Sequence, residues 1–233
     1  MGITIVRVRE DPPMLSRLAG VLVPAFGRLT VTTDSDARFA PGSIIAANHS
    51  SLADPAVVLA ALRRLGVEPV VLATAGLWRV PPLGRALARE GHIPVHRHDA
   101  RAGDALDGAA EALARGRLVL IYGEGGIPNR KDAGEAAPEA FRSGLARLVQ
   151  RTGAPVIPLG QAGSRRIVSG SRLKQLAGLG TAPLRRPGLH VHIGAPVMLA
   201  GDLPNRTAHA RAAVTDAWRE AAERLGEPVV LAA

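Results

Sequence analysis

Short aliphatic runs recur along this chain, separated by longer stretches with helical spacing, and that alternation limits the fold more than any other feature. "GSIIAAN" (42–48), "EPVVLATA" (68–75), "RLVLIYG" (117–123), "APVIPLG" (154–160) and "GLHVHIGAPV" (188–197) each read as a strand. Four amphipathic segments fall between and after them. "DPAVVLAALRRLG" (54–66) opens on the Asp-Pro pair that favours a helix start and stops at Gly66. Leu106, Ala109, Ala110 and Leu113 share a stripe within 100–116, and Phe141, Leu145, Leu148 and Val149 share one within 139–153. A long closing helix is expected over 207–226. Strands spaced by helices imply an α/β fold with a central, mostly parallel or mixed sheet and helices on both faces. The Gly-, Pro- and Arg-rich stretch 163–188 is the expected long loop, and 1–233 reads as a single domain.

Composition narrows the chemistry. At 47% hydrophobic and only 3% aromatic residues, the core has to be aliphatic. The absence of cysteine excludes disulfides and thiolate metal sites. The first residues have no signal-peptide shape, so a cytoplasmic location is expected. No uncharged apolar run reaches the roughly 18 residues of a spanning helix. The nearest, Met14 to Leu29, is bracketed by Arg17 and Arg28 and interrupted by Pro24. It reads equally as a membrane-surface helix or as an ordinary packed one. A formal charge of +9 favours anionic partners: phospholipid head groups, acyl carrier protein, coenzyme A phosphates or nucleic acid. Nucleic acid is the weaker reading, because no basic run is interleaved with aromatics.

"NHSSLADP" (48–55) follows the first strand and holds a histidine and a carboxylate, His49 and Asp54. On one continuous helix that spacing would point them apart. They meet only if His49 lies in the loop and Asp54 opens the helix. Imidazole titrates near neutrality, so a His49 steadied by Asp54 could take a proton from a hydroxyl. Alternatively, Asp54 is only a helix cap and His49 an incidental loop residue. "IYGEGGIPNR" (121–130) is a glycine turn after a strand, lacking the lysine of a P-loop and the third glycine of a dinucleotide site. His92, His96 and His98 crowd "EGHIPVHRHDA" (90–100), but Pro94 and its β-branched neighbours favour an extended segment over a metal-binding helix, so no metal is expected. There is no Gly-x-Ser-x-Gly elbow and no cysteine nucleophile, so a covalent acyl-enzyme has little support.

Taken in order, these pieces resemble the glycerolipid acyltransferase family, whose best-known members are 1-acylglycerol-3-phosphate acyltransferases. Asn48, His49 and Asp54 match its Asn-His-x-x-x-x-Asp block. Pro81, Gly84, Gly91, Ile93 and Arg97 match the second block, and Glu124-Gly125 the third. Phe141, Gly144, Pro155 and Pro158 fit the fourth, and Ile193 to Pro196 resembles a late strand end.

The resemblance implies an O-acyltransferase that moves a fatty acyl group from a coenzyme A or acyl-carrier-protein thioester to a lysophospholipid or related hydroxyl, in phospholipid biosynthesis, with no bound cofactor. It implies His49 as base and Asp54 as its orienting partner. Asn48, Arg97, Glu124, Gly125 and Gly126 fall on the substrate-binding side, with the glycine turn offering N–H groups to the oxyanion. The usual lysine and second arginine are replaced by Thr74 and Ile127, so Arg79, Arg130 or Lys131 would have to supply the missing charge. That departure leaves room for a non-phosphate acceptor of specialised metabolism. A non-catalytic lipid- or carrier-binding protein on the same fold is the remaining alternative. Peripheral contact with anionic membrane is also expected.

Overall fold

The computed structural model describes residues 13–96, 103–128 and 134–227. The chain runs α1 (Met14–Phe26), β1 (Arg28–Thr33), β2 (Ile44–Ala47), α2 (Asp54–Arg64) and β3 (Val70–Thr74). A 3-10 turn (Ala75–Arg79) leads to α3 (Leu83–Arg89), β4 (Ile93–Val95), α4 (Asp104–Ala114) and β5 (Val119–Tyr122). It closes with α5 (Gly144–Thr152), β6 (Val156–Ala162), α6 (Arg172–Arg185), β7 (Gly188–Ile193) and α7 (Leu203–Arg224).

The seven strands form one sheet in the order β1-β7-β6-β2-β5-β3-β4. From β6 to β4 every neighbour is parallel, whereas β7 runs antiparallel to β6 and parallel to β1. β2 is central and buried on both sides, which is why it reads as an unbroken apolar run rather than an alternating one. Its pleat sorts the core. Ile45 and Ala47 join Val58, Leu62 and Val23 beneath α1 and α2. Ile44 and Ala46 join Ala109, Leu148 and Val214 beneath α4, α5 and α7. The mixed α/β sheet with helices on both faces is therefore as expected.

Several local expectations need correction. The stretch 163–188 is not a loop: it holds a short 3-10 turn and the fourteen-residue α6, started by Ser171, whose hydroxyl accepts the Lys174 N–H. Met14 to Leu29 is not one helix, since α1 ends at Phe26 and Arg28 opens β1, zipped in register against β7. The helix foreseen from residue 139 begins at Gly144, because Phe141 and Arg142 are drawn over the turn after β5, where Arg142 N donates to Gly123 O at 2.9 Å. The extended segment expected around Pro94 is present as β4, and His92 just before it is a core histidine: its Nδ1 accepts the Val71 N–H at 3.0 Å and its Nε2 donates to Glu90 at 3.2 Å. His98 lies outside the described residues.

Candidate active site

β2 and β5 lie side by side, with Ala47 opposite Tyr122, so the loops leaving them emerge at the same edge of the sheet. Asn48 fixes the first loop. Its Nδ2 donates to Gln161 O at 3.0 Å, and its Oδ1 accepts the Gln161 N–H at 2.8 Å, tying the end of β2 to β6. Both ends of this buried amide are thereby engaged on the Gln161 backbone, which gives Asn48 a part in shaping the loop. The Gln161 side chain carries the clamp onward to Ser50 and Ser164. Ser51 donates to Val168 O at 2.6 Å, and Arg165 to Ser50 O at 3.1 Å.

Asp54 is the first residue of α2, and Ala53, at the cap position, offers no side-chain bond. The Asp54 carboxylate turns backwards into the loop. Its Oδ2 accepts from Ser50 N at 2.6 Å, Ser51 N at 2.8 Å and His49 Nδ1 at 2.9 Å. The cap alternative therefore fails: Asp54 folds the loop back on itself and holds the imidazole. A carboxylate oxygen accepts, so in the neutral ring this contact places the proton on Nδ1 and the lone pair on Nε2. Nε2 hydrogen-bonds to none of the described residues. The His49 side chain is 13% exposed while Asp54 is fully buried. The pair thus has one imidazole nitrogen directed by a carboxylate and the other without a hydrogen bond among the described residues, at an edge of the sheet.

The second loop braces the first. Glu124 Oε2 accepts the His49 N–H at 3.0 Å. Burial pushes this carboxyl up to about 8, against the lowering effect of its two backbone donors. The Tyr122 ring stacks on the imidazole, with centroids 4.4 Å apart and planes inclined by 29°. Gly125 sits at φ +66° and donates to Tyr122 O at 3.1 Å, so its N–H is already used, whereas that of Gly126 donates to none of the described residues. A Cβ on Gly125 would lie 2.7 Å from Arg142 Cδ, so the absent side chain is what lets this arginine cross the turn. Arg79 is exposed at the end of the 3-10 turn after β3. Arg97, Arg130 and Lys131 lie outside the described residues. Tyr122, Gln161 and Arg142 are site residues that sequence reasoning missed.

Comparison with known proteins follows the same lines. A model of a family described as Acyltransferase matches residues 28–161, which includes both loops. A chloroplastic 1-acyl-sn-glycerol-3-phosphate acyltransferase of Brassica napus is 28% identical over 126 residues, covering 54% of this chain and 34% of the relative. One from Arabidopsis thaliana is 27% identical over 127 residues, with 54% and 33% covered. The match thus spans about a third of the length of these curated relatives. Among solved structures, the 1-acyl-sn-glycerophosphate acyltransferase PlsC of Thermotoga maritima superposes with a TM-score of 0.69 at 17% identity, covering 93% of this chain and 80% of that one. At that identity the likeness shows the fold.

Proposed function

This chain belongs to the acyltransferase family, and from that premise we propose that it transfers an acyl group directly from a thioester to a hydroxyl, with His49 as general base. The carrying observation is the free Nε2 of an imidazole whose Nδ1 is held by Asp54. Nε2 takes the acceptor's proton as its oxygen attacks the thioester carbonyl. Asp54 stabilises the imidazolium that results. The tetrahedral intermediate then collapses, the C–S bond breaks, and the thiolate leaves with the proton returned by Nε2. The Gly126 N–H is a candidate donor to the oxyanion. No bound cofactor enters this scheme.

The donor is a coenzyme A or acyl-carrier-protein thioester, and the acceptor a lysophospholipid of the 1-acylglycerol-3-phosphate type. The names of the curated relatives support that acceptor. Thr74 and Ile127 support a second reading, an acceptor less dependent on phosphate, because two cations expected of the family are missing there. Arg142 bears on the choice as a cation beside the glycine turn. The test is to offer the purified protein both donors against lysophosphatidate and neutral hydroxylated lipids together, and to identify products by mass. Preferential acylation of lysophosphatidate supports the first reading and sinks the second. No thioester consumption with any acceptor would leave a lipid- or carrier-binding protein.

The acceptor is proposed to be met at an anionic membrane surface. Among the described residues no helix is long and apolar enough to cross a membrane. α6 buries only Ala182, while Leu173, Leu176, Leu179 and Leu184 face outward, Leu184 at 89% exposure. It packs against α1, which exposes Leu18, Val21 and Leu22. Neither helix contains an acidic residue, and Arg172, Lys174 and Arg185 flank the leucines of α6. Such a face suits an anionic bilayer on the side facing the cell's interior. Vesicles of anionic lipid should co-sediment the protein, less so with added salt or after Leu173→Ser and Leu184→Ser. Equal binding to neutral vesicles, insensitive to salt, would contradict this.

A further inference from the structure

Tyr122 closes β5 beneath the His49 imidazole, ring on ring, and it is the aromatic partner of that imidazole among the described residues. Its hydroxyl is buried and makes no hydrogen bond there. Whatever Tyr122 does to His49 therefore passes through its ring. Burial, reinforced by the carboxylates of Asp54 and Glu124, pushes the phenol well above its ordinary range and keeps it neutral.

We propose that Tyr122 is a positioning residue for the acyl transfer, its ring fixing the plane of His49 against Asp54 and stabilising the imidazolium formed when Nε2 takes the acceptor's proton. This rests on the reading of His49 as the base. An aromatic face within about 6 Å attracts a cation more strongly than a neutral ring. The stack at 4.4 Å is thus worth more once His49 is protonated than before. An interaction that strengthens only as the reaction proceeds appears in kcat and leaves KM in place. Asp54 acts on one edge of the imidazole, through Nδ1, and Tyr122 on its face, so Nε2 is left as the only reactive position.

The test is a substitution series read by kcat and KM on folded protein, with thermal unfolding as control. Tyr122→Leu should lower kcat by about three- to thirty-fold with KM unchanged. Tyr122→Phe keeps the ring and should retain most of kcat, with a raised Tm because an unpaired buried hydroxyl is gone. Should Tyr122→Leu fail to fold, Tyr122→Met serves the same comparison. Combining Tyr122→Leu with His49→Ala should be no slower than His49→Ala alone, since the ring acts through His49. In wild type the His49 ring protons should show an upfield NMR shift from the stacked ring, lost in the leucine variant. Full kcat in Tyr122→Leu, a loss confined to KM, or an equal loss in Tyr122→Phe overturns the proposal. An unimpaired His49→Ala would instead overturn the general-base reading beneath it.

Discussion

His49 and His92 each meet a carboxylate, Asp54 at 2.9 Å and Glu90 at 3.2 Å, yet the two pairs are built differently. Both nitrogens of His92 are engaged, one by Val71 N and the other by Glu90. Glu90 in turn accepts the Leu15 N–H, so the pair fastens the start of α1 to the sheet. Burial pushes His92 below the ordinary histidine range, which favours the neutral ring that Val71 requires. The histidines of β7 are likewise engaged on both nitrogens: His190 between Thr30 and Thr32, His192 between Thr32 and Asp34. His49 alone of these four leaves a nitrogen unbonded, and it does so in a loop at the sheet edge. A histidine–carboxylate pair by itself is therefore no sign of catalysis. The free nitrogen and its position are what the proposed role of His49 rests on.

The sharpest break in this comparison is between deletions of the two rings. His49→Ala should lower turnover by about two to four orders of magnitude, with the urea unfolding midpoint little changed. His92→Ala should do the reverse, keeping kcat and losing about 1–3 kcal/mol of stability, because a buried Val71 N–H and Glu90 are left without their partner. Loss of activity in both at matched stability would mean that the two pairs had been told apart wrongly.

Asp54→Asn comes next. An asparagine would serve a helix cap about as well. Here the carboxylate takes three donors, and an amide cannot replace its charge toward the imidazolium. Turnover should fall by about two orders of magnitude or more, accompanied by about 1–3 kcal/mol of lost stability. Stopped assays and denaturant curves on the same preparation would show both, and unchanged turnover would return Asp54 to a purely structural role.

Much of this contrast could be read before the fold was known. The loop placement of His49 and the helix start at Asp54 follow from the Asp-Pro signal, and the central strands are plain in their apolar runs. Non-local features could not be read in this way. Tyr122 meets His49 only because β5 lies next to β2, a neighbour relation that no local pattern carries. Asn48 and Gln161 find one another across the adjacent pair β2 and β6 for the same reason. α6 was hidden by its Gly178, Gly180 and Pro183, which read as loop punctuation, and by leucines that do not enter the core. β1 escaped because its burial comes from β7, far along the chain.

Smaller, and opposite in sign, are the pH effects of two buried groups. His92 has a lowered folded value, so below its ordinary 6.5 the unfolded chain takes up a proton that the folded site resists. Its contribution to stability is thus lost as pH falls through that region. Glu124 is raised from 4.5 to about 8, so across that window the unfolded chain has released a proton that the folded site keeps. Its contribution is lost as pH rises. Denaturation midpoints against pH should lose their acid limb in His92→Gln and flatten between about 4.5 and 8 in Glu124→Gln, whose amide can still accept the His49 N–H. Unchanged profiles would separate these groups from the pH response.

Thiol release in a rapid-mixing experiment tests the central claim most directly, with acyl thioester given to the protein alone and then together with acceptor. Direct transfer through His49 predicts thiol release only when acceptor is present, no mass increase of the protein, and loss of the signal in His49→Gln. A burst of thiol without acceptor, matched by an acylated protein, or normal release from His49→Gln would contradict it.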